Sequence, residues 1–338
     1  WMPAGLAIVG FLACAVFTAL TGASGVTIVA LGALLFPMLT QSGYGERFSL
    51  GLVTASGSLG LLIVPSLPLI LYGIVAQQLG VGESFTISQL FLAGIAPVMV
   101  MILALSVWAI WRHRSVPRTE FVVAEVLSSV KAARWELALP FAVLGGVYSG
   151  YFAISEAAAV TAIYVIIIEV FIYKEVPLKK LPEVIRESMV MVGSIILILG
   201  AALAFTNYLV DSEIPQTLFE FIRAHVDSRI AFLILLNVML LILGALLDVF
   251  SAIIIMVPLI LPIAVGYGVH PVHLGIIFLA NLQIGYFTPP IGMNLFISSY
   301  RFKKPILQLY AACWPFMVVL LIALMVITYV PFLSLWFL

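Results

Sequence analysis

Charge is what this chain has least of. Of its 338 residues 9% are charged and 64% are hydrophobic, with a mean hydropathy of +1.25. A soluble domain carries roughly 25% charge, so a soluble globular protein is excluded and an all-α integral membrane protein is expected. Cysteine is nearly absent too. Cys14 and Cys313 both sit in apolar runs, and two such residues make neither a disulfide framework nor a thiolate metal site. There are four histidines; His270 and His273 flank Pro271 in what reads as an outer loop, and they are expected to be solvated there. No nucleophile–base pair, metal cluster or phosphate loop is recognisable, so neither an enzyme nor a nucleic-acid partner is expected. Fifteen acids balance fifteen bases, so placement rather than net charge carries the information.

Charge-free stretches run 1–45, 48–82, 84–111, 137–155, 188–210, 230–247, 249–300 and 305–338. One helix needs about 20 apolar residues to cross a bilayer, so the stretches 1–45 and 249–300 each hold more than one membrane segment. Basic residues mark cytoplasmic loops. They cluster at Arg112–Arg134, Lys174–Arg186 and Arg301–Lys304, whereas 211–229 is mainly acidic and reads as external. This topology gives helices near 137–153, 155–173 and 188–208, and an interfacial amphipathic helix within 114–134. For 230–246 and 249–265 two routes preserve the parity: two full spans, or a hairpin that enters from outside and returns. In the first half, 4–20 and 25–38 flank the turn Thr21–Ser24 and form a hairpin entered from the cytoplasm. The opening Trp1-Met2-Pro3 reads as part of a longer polypeptide.

Two apolar runs break in the same way. Ser56-Gly57-Ser58-Leu59-Gly60 is followed by Pro65-Ser66-Leu67-Pro68, and Asn281-Leu282-Gln283-Ile284-Gly285 by Thr288-Pro289-Pro290. Gly60 falls on Gly285, Pro65 on Pro290 and Pro37 on Pro262, all at one offset. Unwound backbone at membrane depth is tolerated only where protein or a water-filled cavity satisfies it. Two such breaks in corresponding halves point to a transporter's binding site. The expected fold is therefore an inverted repeat with two re-entrant helical hairpins and two broken helices. Its parts are 1–80 (first hairpin and broken helix), 81–228 (scaffold and connecting arms), 229–300 (second hairpin and broken helix) and 301–338 (C-terminal scaffold helix).

The breaks free carbonyl oxygens, and hydroxyls and amides add neutral oxygens beside them. Ser24, Ser56, Ser58 and Ser66 cluster in the first half, and Asn281, Thr288 and Asn294 in the second, with Asp248 at the opposing turn. Hard monovalent cations are bound by such oxygens, while half-helix N-termini favour anions. Asp248 is the one acid in the second apolar region. A carboxylate at that depth is costly and points to function; a helix N-cap at 249 is a compatible role. Glu156, after Ser155, is expected to stabilise a helix start. The alternative for Gly57, Gly60 and Gly285 is close helix packing alone.

With these motifs the chain resembles the large membrane subunit of the tripartite ATP-independent periplasmic (TRAP) transporters. The matching segments are Ala55–Gly60 with Val64–Gly73, Ser155–Val160, Leu181-Pro182-Glu183, Ile214-Pro215-Gln216 and Pro289–Asn294. The resemblance implies a sodium-coupled importer of the elevator type in the bacterial inner membrane. A periplasmic binding protein would deliver a small organic acid, and a small four-helix membrane subunit would brace the scaffold within the lipid bilayer. By matching position, one Na⁺ site would draw on Ser24, Ser56, Gly57 and Ser58, and a second on Gly244, Asp248, Thr288 and Pro289. Substrate would sit between the tips, with Ser66, Asn281 and Asn294 as polar candidates. The rival reading is a single-component sodium/anion symporter of the same superfamily, which would lack the Glu156 and Ile214-Pro215-Gln216 matches. An ion channel would normally build its filter from symmetry-related subunits, which the internal duplication argues against.

Overall fold

Glycine marks several of the turns among the described residues, while Pro37, Pro97, Pro258, Pro262 and Pro315 lie inside helices. The structure, a computed structural model, describes residues 2–114, 123–148, 154–226 and 228–338, and no strand occurs among them. Two compact units separate, one of Trp1–Arg118 with Ala202–Leu338, the other of Thr119–Ala201.

The first unit opens with α1 (Gly5–Thr21) and α2 (Ser24–Gln41), joined by a two-residue turn. Gly22 takes a left-handed φ of 66° and its N–H closes on Thr18 O at 2.8 Å, a conformation that favours glycine. Then come α3 (Glu46–Ser56), a 3₁₀ turn at Leu59–Leu62 and α4 (Leu67–Leu79). The chain bends by 42° across this break. Ser66 restarts the helix, accepting from Leu69 N at 3.4 Å with Pro68 in the first turn. A capping box of Thr86 and Gln89 starts α5 (Ile87–Arg112).

The second unit holds α6 (Val123–Ala132), α7 (Arg134–Tyr148) and α8 (Ile154–Ile166), whose last turn is wound as a π-helix over Ile167–Ile172. It also holds most of α9 (Leu181–Asp211). The helix α6 lies inside the segment expected to be interfacial, with Leu127 and Val130 exposed; residues 115–122 of that segment, like 149–153 near the expected span 137–153, fall outside the described residues. Glu156 stands in the first turn of α8, as expected from its place after Ser155.

Back in the first unit are α10 (Ile214–His225), α11 (Arg229–Leu246), α12 (Val249–Gly266), α13 (Pro271–Gly285), α14 (Met293–Phe302), α15 (Ile306–Tyr329) and the short α16 (Phe332–Leu335). Five helices (α2, α5, α11, α12 and α15) are long and apolar enough to cross a membrane, and the bent pair α3–α4 adds a sixth candidate. The chain is thus an all-helical multi-pass membrane protein.

The two hairpins of this unit correspond in their helix bounds. Shifted by the offset that links Gly60 to Gly285, α2 coincides with α12 at both ends. The packing repeats as well. A Cβ on Gly60 would stand 2.4 Å from Ala19 N, and one on Gly285 would stand 2.6 Å from the Cα of Gly244, the residue that corresponds to Ala19. Each break therefore crosses the first arm of its own hairpin backbone to backbone, which small residues permit. Both Val64–Pro65 and Pro289–Pro290 are cis. All fifteen residues of α13 are buried, the polar His273, Asn281 and Gln283 among them.

One expectation is corrected here. His273 is not a solvated loop residue: it is fully buried on α13, with Nδ1 2.6 Å from Ser334 Oγ and Nε2 3.1 Å from Thr328 O. Pro271 occupies the first turn of α13, so the helix starts earlier than the histidine spacing suggested. His270 caps that start through Nδ1, which accepts from Val272 N at 3.1 Å, and its Nε2 lies 3.3 Å from Glu83 Oε2.

Candidate functional site

The tips of the two hairpins and the two breaks enclose a cavity of about 560 Å³. Gly22, Ser24 and Val26 line it from the first tip, Asp248 and Phe250 from the second, Leu61 and Tyr286 from the breaks, and Met293 and Ile297 from α14. Three helices, α2, α12 and α14, begin on its wall, and the first-turn N–H groups of a helix carry the positive end of its dipole.

The starts of α2 and α12 correspond in sequence and differ in chemistry. Asp248 caps α12: Oδ1 accepts from Phe250 N at 3.0 Å and Ser251 N at 3.1 Å, and Oδ2 accepts from Ser251 Oγ at 2.5 Å. Tyr286 Oη accepts from Val249 N at 2.7 Å. The corresponding cap residue of α2 is Ala23, which has no side chain able to accept. So one start is filled by a carboxylate and a phenol, while the other has no side-chain cap.

The expected residues of the first ion site lie together. Ser24, Ser56 and Ser58 are buried, and a Cβ on Gly57 would stand 3.4 Å from Ser24 O. Ser56 Oγ donates to Leu52 O within its own helix. Ser58 Oγ donates across to Gln283 O at 2.8 Å, joining the two breaks. Behind them sit two hydroxyls that sequence reasoning missed. Thr18 Oγ1 lies 2.7 Å from Cys14 O, 2.8 Å from Gly57 O and 2.7 Å from Thr27 Oγ1. One hydroxyl has one hydrogen, so even with Thr27 donating to Thr18, one of the two carbonyls meets the hydroxyl oxygen with no hydrogen between them.

The residues of the second set are neighbours as well. Gly244 packs on Leu282 and Gly285, and Gly292 N donates to Ala245 O at 3.0 Å. Thr288 Oγ1 donates back to Ile284 O at 2.9 Å, and a Cβ on Gly292 would stand 2.8 Å from Thr288 O. Pro289 follows in the unwound segment, and Asp248 stands exposed at the adjoining tip.

The polar candidates for substrate occupy three different places. Asn294 is buried beside the cavity rather than in its wall: Oδ1 accepts from Ser24 Oγ at 2.8 Å and Nδ2 donates to Thr54 O at 3.3 Å, tying α2, α3 and α14 together. Ser66 Oγ donates to Leu61 O at 2.5 Å behind the first break. Asn281 lies in the helix core, where Nδ2 donates to Asn237 Oδ1 at 2.6 Å and to Ile277 O at 2.8 Å. Two buried side-chain oxygens on α13, Asn281 Oδ1 and Gln283 Oε1, have no hydrogen-bond partner. Thr18, Thr27 and Tyr286 were legible only as polar residues beside a turn or a break.

A family model described as "Tripartite ATP-independent periplasmic transporter, DctM component" matches residues 1–333. The chain belongs to this family. It is 35% identical over 341 residues to the C4-dicarboxylate TRAP transporter large permease protein DctM of Rhodobacter capsulatus, covering 98% of this chain and 78% of that protein. It is 34% identical over 340 residues to the isethionate TRAP transporter permease protein DctMQ of Oleidesulfovibrio alaskensis, covering 99% of this chain and 52% of that one. It is 30% identical over 330 residues to the sialic acid TRAP transporter permease protein SiaT of Haemophilus influenzae, covering 97% and 52%. A TRAP large permease is a transporter component and not an enzyme, which accords with the absence of catalytic groupings in the sequence.

Proposed function

We propose that this TRAP permease is a sodium-coupled importer subunit that takes a small organic acid from a periplasmic binding protein and moves it across the bacterial inner membrane. The observation that carries this reading is the cavity between two corresponding helix starts, one of them uncapped. First-turn N–H groups with no side-chain acceptor suit a carboxylate or sulfonate. Relatives are named for a C4-dicarboxylate, sialic acid and isethionate, all anions at neutral pH.

Sodium would be held by the oxygens around each break. At the first site these are Ser24, Ser56, Gly57 and Ser58, with the Thr18 hydroxyl 2.8 Å from Gly57 O beside them. At the second they are Gly244, Asp248, Thr288 and Pro289, where the C-terminal carbonyls of α11 and α13 meet. The last carbonyls of a helix lack intrahelical donors and favour cations. Bound Na⁺ would supply positive charge beside the anion, and it would be the source of driving force. Moving one negative charge inward against 100 mV costs about 2.3 kcal/mol, and each Na⁺ moving inward returns about as much. Ser66, Asn281 and Asn294 act in this reading from behind the cavity, holding the breaks and the tips that touch substrate.

Residues 1–80 and 229–300 form the moving transport part, two re-entrant hairpins and two broken helices related as an inverted repeat. Residues 81–228 and 301–338 form the scaffold against which it slides as an elevator, braced by a small membrane subunit of about four helices. The test is uptake into proteoliposomes holding the complete membrane complex, with the sodium gradient, the proton gradient and the binding protein varied independently. Uptake that needs both inward sodium and the binding protein supports the proposal. Uptake without any binding protein supports a single-component symporter instead, and uptake driven by protons alone rejects sodium coupling.

A further inference from the structure

A second cavity, away from the hairpin tips, opens at the basic end of the first unit. It measures about 420 Å³ and lies between the start of α3, the end of α5 and α15. Its floor is aromatic: the Phe48 ring stands 4.0 Å from the His113 ring, 5.6 Å from Trp108 and 5.4 Å from Phe316. Its rim is cationic, with Arg47 and Arg112 both lining it. Arg47 spends Nε and Nη2 on Ala311 O, at 3.0 and 2.8 Å, which leaves further N–H groups of its guanidinium for a ligand. Arg112 forms no ion pair among the described residues. His113 Nδ1 is buried with no hydrogen-bond partner. Burial, with the Arg112 charge adding to it, holds this imidazole below its ordinary pKa.

Below the rim both helices present apolar stripes at a spacing of four. On α5 they are Met99, Leu103, Val107 and Trp111, and on α15 Trp314, Val318, Ile322 and Val326, all exposed. Tryptophans at the ends of apolar stripes mark the level of the headgroups, and clustered arginines mark the cytoplasmic leaflet. A basic pocket between membrane helices on that side has the chemistry of a lipid-phosphate site.

We infer that this cavity binds the phosphate of an anionic phospholipid from the cytoplasmic leaflet, with its acyl chains laid along the stripes of α5 and α15. Arg47 and Arg112 would grip the phosphate oxygens through charge-assisted hydrogen bonds. Glu46 lines the same cavity but is ion-paired with Lys304, so the rim stays net positive.

The test is native mass spectrometry of the purified complete membrane complex with dioleoylphosphatidylglycerol, dioleoylphosphatidylcholine or inorganic phosphate added. The expected result is at least tenfold tighter retention of phosphatidylglycerol than phosphatidylcholine, lost in Arg112→Gln. Arg112 is exposed, so that variant should fold; an unchanged thermal midpoint without added lipid verifies this. Arg47→Gln should weaken retention similarly, and Arg112→Lys should restore part of it. Equal retention of the two lipids, or undiminished phosphatidylglycerol binding in Arg112→Gln, would overturn the inference. Competition by inorganic phosphate at equal concentration would show a free-anion site and overturn its lipid assignment.

Discussion

Ser58 and Gln283 occupy corresponding positions in the two halves of the sequence and bind each other: Ser58 Oγ donates to Gln283 O at 2.8 Å, across a separation of 225 residues. A contact between corresponding residues ties the two breaks into one structure. An ion bound at one break therefore has a short physical path to the other.

Ser58→Ala removes that tie and leaves the Gln283 carbonyl buried without the donor. A buried hydrogen bond contributes about 1 kcal/mol, or about fivefold in an equilibrium constant. The sodium concentration for half-maximal uptake should rise by about that factor. A sodium titration identical to the parent would return Ser58 to ordinary packing.

Asp248→Asn keeps the shape of the α12 cap and removes its charge. If Asp248 lies next to a bound Na⁺, sodium affinity should fall about tenfold or more, since charge-assisted contacts contribute roughly 1.5–3 kcal/mol. Helix stability should change far less, because asparagine is about as good a cap. Unchanged sodium dependence would reduce Asp248 to capping alone.

Gly285→Ala should fail by crowding. The added carbon would stand 2.6 Å from the backbone of Gly244, where no flexible side chain can yield. Overpacking of a closed crossing costs about 1–3 kcal/mol or more. Gly145→Ala is the control, since a Cβ there meets nothing within 4 Å. Thermal unfolding of the complex should drop for the first and hold for the second.

His273→Ala deletes the ring that joins α13 to the end of α15 and to α16, leaving Ser334 Oγ without the imidazole it contacts and Thr328 O without its ring contact. Ser334 Oγ keeps Pro331 O at 3.3 Å, so the cost falls on Thr328 O and the lost packing, and an orphaned buried group costs about 1–3 kcal/mol. A large loss of thermal stability is expected, with sodium affinity of the surviving protein unaltered. A stable variant with altered sodium dependence would instead place the histidine in the transport chemistry.

How much of this was legible beforehand divides along physical lines. The bounds of α12, the start of α2, the turns before Ser24 and Val249, and the breaks at Gly60 and Gly285 follow from short-range rules, whereas α2 runs on through Pro37 to Gln41, past its expected end at 38. Glycine, the clustered prolines of the breaks and charge-free length mark them. Contacts made by the fold were not legible. Thr18 gains its role only because Gly57, 39 residues away, is brought to 2.8 Å. His273 looked solvated beside Pro271 because no local pattern reveals that the chain end packs on it. Asn294 was readable as a polar residue near a helix start, but its direction, away from the cavity and toward Ser24 and Thr54, depends on three helices meeting.

The central claim is that the cavity between the tips visits both sides of the membrane. Val26→Cys tests it, because Val26 is 48% exposed in the cavity wall and both native cysteines are buried. The reaction of residue 26 with a membrane-impermeant thiol reagent would be followed in proteoliposomes from each face. Labelling from both faces, with the balance shifted by sodium and slowed by substrate, is the expected result. Labelling from one face alone, whatever the sodium and substrate present, would contradict an elevator carrying this cavity across the bilayer.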